Sequence, residues 1–229
     1  MIRVILADDH PTVRIGVAYT LQRSGDIEVV AEAGTANELY DALAQHPCEV
    51  VLTDFSMPGG SAADGLSMLD RLRRQWPTLP LVVLTMVANP DTLYAIDATG
   101  CAGICDKGAP LEEAVEAVRV AAAGGSYRSP RLQAALAAAR AAQGRSAGRR
   151  LSPREVEVVR LIGEGLRLDE IAERLHRSAK TVSRQKRDAM QRLGLETDEA
   201  LMEFTRRTRL VGRCRAARAV CFAAPLPWR

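Results

Sequence analysis

The feature that most constrains this chain is a succession of five short apolar runs within its first 105 residues: Ile2–Ala7, Ile27–Ala31, Val50–Thr53, Leu81–Thr85 and Ala102–Cys105. Each is dense in Val, Ile and Leu and does not alternate with polar residues, the pattern of a strand buried on both faces. The intervening segments have helical length, with Val13/Val17/Leu21 and Leu66/Leu69/Leu72 spaced to share one helical face. Repeated β–α units imply a parallel sheet covered by helices on both sides. Right-handed crossovers then favour a doubly wound, five-stranded α/β fold, which offers its ligand site at the C-terminal ends of the strands.

Those ends carry an unusual set of side chains. The first run is followed by Asp8 and Asp9, the third by Asp54; the fourth ends in Thr85, and the fifth is followed by Lys107. Each Asp alone reads as a cap for the next helix, but five polar residues at successive strand ends read as a site. Clustered carboxylates repel one another unless a cation neutralises them. A hard divalent ion, Mg2+ above all, suits carboxylate oxygens and accepts phosphate oxygens as further ligands. A carboxylate can also be the nucleophile in phosphoryl transfer.

The second part of the chain differs in kind. Residues 1–148 carry 12 Lys and Arg against 17 Asp and Glu, whereas residues 149–229 carry 19 against 11. An acidic part joined to a basic part suggests different partners, nucleic acid being the natural one for the basic end. Residues 126–150 are rich in Ala, Arg and Gly and read as a linker with a helix at roughly 130–142, which separates a domain at 1–125 from one at 151–209. Ser152-Pro153-Arg154-Glu155 supplies an N-cap, Pro at the first position and Glu at the third, a strong helix start. Helices at Leu168–Leu175 and Ala179–Leu193, separated by a short turn, have helix-turn-helix spacing, and another is expected at Asp198–Thr208. Val182, Ala189 and Leu193 would dock the second of these, leaving Ser183, Arg184 and Arg187 to face a major groove, with Thr181, Gln185 and Lys186 placed for phosphates and Lys180 flanking. Residues 210–229 read as a basic, disordered tail. The five cysteines (48, 101, 105, 214 and 221) form no CxxC pair and read as small hydrophobes of a reducing compartment. No apolar run approaches the ~18 residues of a membrane span, and no secretory leader is recognisable, so a cytoplasmic protein is expected.

IRVILADDHPTV, VVLTDFSMPG, VVLTM and GICDKGAP resemble the signatures of response-regulator receiver domains, and LSPREVEVVRLIGEG with EIAERLHRSAKTVSRQKRDAMQRLGL resembles the DNA-binding domain of the NarL/FixJ (LuxR-type) regulators. The long loop between Pro58 and Gly65, with LTMVANP and KTVSRQKRDAM, is similar to the RcsB-like capsule-synthesis subgroup. The resemblance implies a two-component transcription factor rather than an enzyme. Asp54 would be the phosphoacceptor, Asp8, Asp9, Asp54 and the carbonyl of Ser56 the Mg2+ ligands, and Thr85 and Lys107 the partners of the phosphoryl group. The implied partners are a sensor histidine kinase or phosphotransfer protein, double-stranded promoter DNA, a second copy of the chain, and in some cases another regulator. Two departures stand out. Ile104 occupies the switch position where an aromatic residue is usual, and Asp106 beside Lys107 is expected to compete for its charge, so control by phosphorylation is expected to be less complete. Of two other readings, a phosphatase with an aspartyl nucleophile would want a second Asp where Ser56 stands, and an adaptor would act mainly through a second regulator.

Overall fold

The computed structural model describes residues 1–87, 89–141 and 151–208. The elements run β1 (Ile2–Ala7), α1 (Pro11–Arg23), β2 (Ile27–Ala33), α2 (Ala36–Gln45), β3 (Val50–Asp54), α3 (Gly65–Gln75), β4 (Leu81–Thr85), α4 (Pro90–Ala98), β5 (Gly103–Asp106), α5 (Glu112–Ala122), β6 (Tyr127–Arg128) and α6 (Pro130–Ala141). Then follow α7 (Pro153–Gly163), α8 (Leu168–Arg174), α9 (Ala179–Leu193) and α10 (Asp198–Arg207). The strands form one parallel sheet in the order β2-β1-β3-β4-β5-β6. Every residue of β3 and β4 is buried, which is why their sequences are apolar without alternation. One face of the sheet places Val4, Leu6, Leu52 and Leu84 against Val17, Leu21 and Val118 of α1 and α5. The other places Ile5, Val51 and Val83 against Leu39, Leu69 and Ile96 of α2, α3 and α4.

The sheet has six strands among the described residues, not the five expected. The sixth is only Tyr127-Arg128, paired with Gly103 and Ile104 of β5, and two residues are too few to leave an alternating signature. Arg128 holds this edge by donating to Asp97 Oδ1 at 2.7 and 2.9 Å and to the carbonyls of Ala102 and Cys101. Helix α6 packs on α4, and its Arg140 reaches the same Asp97 at 2.6 Å. The part of the expected linker at 142–150 and the expected tail at 210–229 lie outside the described residues.

Helix α7 begins with a full capping box: Glu155 N donates to Ser152 Oγ at 3.3 Å and Ser152 N donates to Glu155 Oε2 at 2.6 Å. Helices α8 and α9 pack on it through Val158, Leu161, Ile171 and Val182, and α9 ends at Gly194, whose φ of 67° closes the helix. Val156, Val159, Ala189 and Leu201 extend the apolar cluster of the α2–α4 face of the sheet. In this arrangement α7 lies against α3 and α4. No described helix is long and apolar enough to cross a membrane. Cys48, Cys101 and Cys105 are free, and burial pushes their thiols up to about 11, 11 and 12, which leaves them protonated at neutral pH.

Candidate acidic site and nucleic-acid interface

At β1 the chain switches from one side of the sheet to the other, and the C-terminal ends of β1 and β3 open a crevice there. Asp8 is fully buried, Asp54 closes β3, and Lys107 follows β5. The Lys107 ammonium lies 2.5 Å from Asp54 Oδ2 and 2.8 Å from Asp8 Oδ2. Thr85 closes β4, and its hydroxyl oxygen accepts from Val87 N at 3.0 Å, so its hydrogen is free to donate elsewhere. Burial is the largest influence on Asp54; Lys107 opposes it, Asp8 adds to it, and the carboxyl is pushed up to about 7. Burial alone would lower Lys107, but Asp54 and Asp8 outweigh it and its pKa is raised.

Asp8, Asp9, His10 and Asp54 bring one donor atom each to within 4.8 Å of one another. Asp8 Oδ2 is buried, and among the described residues its close partner is the Lys107 ammonium at 2.8 Å. A buried carboxylate whose charge is shared with one lysine, set among three acids, fits a hard cation. His10 was not singled out in the sequence, although it directly follows the two acids. Its Nδ1 lies 2.6 Å from Asp9 Oδ1, and because a carboxylate only accepts, that nitrogen carries the proton. Asp106 does not compete for Lys107, contrary to expectation: it pairs with Arg131 of α6 at 3.0 Å and caps Gly108 N at 2.9 Å. Ile104 is fully buried in the sheet.

The loop after β3 is not slack. Asn37 Oδ1 accepts from Ser61 N at 3.0 Å and Ala62 N at 2.8 Å. Asp64 sits where an N-cap of α3 belongs yet does not cap it. Instead it accepts from Met57 N at 2.8 Å and pairs with Arg160 of α7 at 2.8 Å. Arg160 also meets Glu157 at 3.0 Å and Glu164 at 2.5 Å, and Ser56 Oγ donates to Glu164 Oε1 at 3.2 Å. Gly65 has a φ of 63°, and a Cβ there would stand 2.7 Å from Arg160 Nη2, so only glycine permits this approach. Sequence reasoning missed Asp64 and Arg160 because the two halves of the pair are separated by 96 residues.

On α9, Val182 and Ala189 are buried while Lys180, Thr181, Arg184 and Arg187 are exposed and Ser183 is half-buried. Arg184 leans toward Asp188 at 3.6 Å with its side chain 80% exposed. Two residues expected at phosphates are occupied internally: Lys186 pairs with Asp198 of α10 at 2.6 Å, and Gln185 Oε1 accepts from Arg177 Nη1 at 3.1 Å. Thr181 N donates to Ser178 Oγ at 3.1 Å, which fixes the start of the helix.

A family model for the response regulator receiver domain matches residues 4–119, and one for bacterial regulatory proteins of the luxR family matches residues 149–205. The chain is 39% identical to the transcriptional regulatory protein RcsB of Escherichia coli K12 over 204 residues, covering 88% of this chain and 92% of that protein. It is 32% identical to the oxygen regulatory protein NreC of Staphylococcus carnosus, covering 91% and 99%. Among solved structures it is similar to Salmonella enterica serovar Typhimurium RcsB bound to promoter P1flhDC with the phosphomimetic BeF3−, at a TM-score of 0.77 and 36% identity over 89% of this chain and 97% of that one. A second Salmonella typhimurium RcsB structure, of a study of conformational dynamism for DNA interaction, gives a TM-score of 0.78 at 35% identity, covering 90% and 98%. The chain belongs to the response regulators that join a receiver domain to a LuxR-type helix-turn-helix DNA-binding domain, and within them it is RcsB-like.

Proposed function

We propose that Asp54 accepts a phosphoryl group from a histidine kinase or phosphotransfer protein and that α9 then reads promoter DNA, with residues 1–125 as the receiver, 126–150 as linker and 151–209 as the DNA-binding domain. The observation that carries this reading is the Lys107 ammonium set between Asp54 at 2.5 Å and Asp8 at 2.8 Å at the strand ends. In the transfer step an Asp54 carboxylate oxygen attacks the phosphorus of a phosphohistidine. The new P–O bond forms as the P–N bond breaks, and the electron pair returns to the donor imidazole. Lys107 stays protonated and pairs with the added charge, while the Thr85 hydroxyl donates to a phosphoryl oxygen. Asp8, Asp9, Asp54 and the carbonyl of Ser56 would hold Mg2+, which when bound neutralises the phosphoryl oxygens.

Arg184 and Arg187 are the exposed side chains able to grip guanine O6 and N7 in two-pronged fashion, at ~1–3 kcal/mol of discrimination each. RcsB is described in complex with DNA, in one case as two dimers on two parallel DNAs, which supports direct DNA binding over action only through a second regulator. The surface proposed for self-association is on α1, where Ile15 and Tyr19 are 66% and 63% exposed one turn apart and Leu111 lies 3.6 Å from where a Gly16 Cβ would stand. Dimers formed there would set two α9 helices on half-sites about one DNA turn apart, and the same surface suits a heterodimer. The decisive experiment is labelling with acetyl phosphate and Mg2+, followed by sedimentation and promoter binding. Asp54→Asn should abolish an acid-stable, hydroxylamine-sensitive label, and Tyr19→Arg should leave the labelled protein monomeric. Undiminished labelling of Asp54→Asn would reject Asp54 as the acceptor.

A further inference from the structure

A cleft of about 610 Å³ separates α3 of the receiver from α7 and α8 of the DNA-binding domain. Its walls carry six arginines: Arg71, Arg73 and Arg74 on the receiver side, Arg154, Arg174 and Arg177 opposite. Among the described residues its walls hold two acids, Asp70 and Glu157, and Asp64 lies behind Arg174, so arginine outnumbers carboxylate. Glu157 is committed to Arg160 at 3.0 Å.

The arginines are bonded mostly to neutral groups, Arg174 Nη1 to the Pro58 carbonyl at 3.3 Å and Arg177 Nη1 to Gln185 Oε1 at 3.1 Å, so their charge is little compensated. Among the described residues, Arg174 alone of the six reaches a carboxylate, Asp64 at 3.4 Å. Its Nε and Nη2 are buried and donate no hydrogen bond. Arg71 donates to Gln75 at 3.3 Å and stacks 4.0 Å over the ring of Tyr40, which also lines the cleft. Arg73 is spent on the carbonyls of Pro77, Leu79, Thr99 and Gly100, and Arg74 donates to the Asp70 carbonyl at 3.3 Å. Arg177 is held below the ordinary guanidinium range, first by burial and next by the charge of Arg154. Like charges gathered in a concavity raise one another's free energy until an anion enters.

We propose that this cleft binds a nucleotide carrying two or more phosphate groups, clamped between the two domains. Two phosphates carry roughly three to four negative charges, which the excess of arginine can offset. The volume is that of a small-molecule site, about 300–1,000 Å³. A DNA duplex, whose major groove alone is about 12 Å wide, cannot enter it. The Tyr40–Arg71 stack offers a planar face to a base, and the guanidinium forks of Arg154, Arg174 and Arg177 suit phosphate oxygens. A ligand gripped from both sides favours the docked arrangement of the domains over an open one.

The test is calorimetric titration of the full-length protein with ADP, with pyrophosphate and with adenosine, in EDTA so that the acidic site holds no metal. ADP should bind saturably at one site, pyrophosphate more weakly and adenosine not at all. The double variant Arg71→Ala/Arg177→Ala, with one change on each wall, should weaken ADP at least about tenfold. Arg184→Ala on the DNA-reading face should leave ADP binding unchanged. Should the double variant lose thermal stability, Arg154→Gln, exposed and without a carboxylate partner among the described residues, is expected to weaken ADP in the same direction. Absence of saturable binding, or equal loss with Arg184→Ala, would overturn the site and assign the cleft arginines to general electrostatics.

Discussion

Replacing Arg160 by methionine removes the one cation shared by three buried carboxylates. Arg160 is 1% exposed, and Asp64, Glu157 and Glu164 are 0%, 2% and 6% exposed by side chain. Methionine keeps most of the volume, so packing loss is minor. The main cost is electrostatic. Stranding one buried partner costs about 3–5 kcal/mol, and among the described residues Arg174 at 3.4 Å is the cation left near Asp64. The converse change is milder. Asp64→Asn leaves Arg160 paired with Glu157 and Glu164 and retains an acceptor for Met57 N, so about 1–3 kcal/mol is expected from weakened hydrogen bonds. The prediction is therefore an asymmetry: Arg160→Met destabilises more than Asp64→Asn. Urea unfolding of the full chain, with midpoints compared at equal slope, measures both. The pH dependence has a definite sign. Burial would raise Asp64, but Arg160 and Arg174 prevail and hold it below its ordinary 3.8. Its stabilisation is complete above that value and is lost as pH falls through the lowered one. In Arg160→Met that acid-labile share should shrink. An Arg160→Met protein as stable as the parent, or less perturbed than Asp64→Asn, would refute the idea that the guanidinium holds these acids together.

Other outcomes follow from the same geometry. Asp54 is raised from 3.8 to about 7, so its burial favours the protonated form; this contribution is full below 3.8 and is lost as pH rises through about 7. Asp54→Asn should thus gain a few kcal/mol of stability at pH 8, on the order of 1.4 kcal/mol for every tenfold change in proton affinity between the unfolded and folded carboxyl. Below about pH 4 it should gain nothing, and thermal scans on the two sides of this range will report the difference. Lys107→Met should move the protonation midpoint of Asp54 above that of the parent, followed by carboxyl carbon NMR in EDTA, because the opposing charge is gone. Gly103→Ala would place a Cβ 2.8 Å from Val82 Cγ1 and should cost about 1–3 kcal/mol by overpacking, read from the unfolding midpoint. Arg184→Ala should lose discrimination between promoter variants, whereas Lys186→Ala, which breaks the pair with Asp198, should weaken all of them alike in binding titrations.

The sheet was legible because its strands are buried on both faces and therefore apolar without interruption, and the acids at the strand ends interrupt that rule where the crevice lies. The capping box at Ser152 was legible because it is local, its two partners three positions apart. What escaped was contact between distant parts. Glu157, Arg160 and Glu164 repeat at helical spacing and read as a solvated ion-pair stripe, yet their side chains are only 2%, 1% and 6% exposed beneath the Asp64 loop. Asp64-Gly65 reads as an N-cap followed by a helix start, while the structure spends the carboxylate on α7. Asp106 next to Lys107 suggested competition, and adjacency misled because the two side chains diverge, one to α6 and one to the crevice.

The clamp that fixes α6, with Arg128 and Arg140 both on Asp97, also sets how far the second domain can travel. Leu151 follows Ala141 by only ten residues, a reach of at most about 35 Å when fully extended. An undocked DNA-binding domain thus stays at an effective concentration in the millimolar range near the Asp64 loop. A docking surface with an intrinsic dissociation constant of about 1 mM, or roughly −4 kcal/mol, would already be half closed. Around such a balance, a perturbation of about 1.4 kcal/mol shifts the ratio of closed to open molecules tenfold. For a docking free energy of that size, a single phosphoryl group or ligand would be enough to tip the domain arrangement.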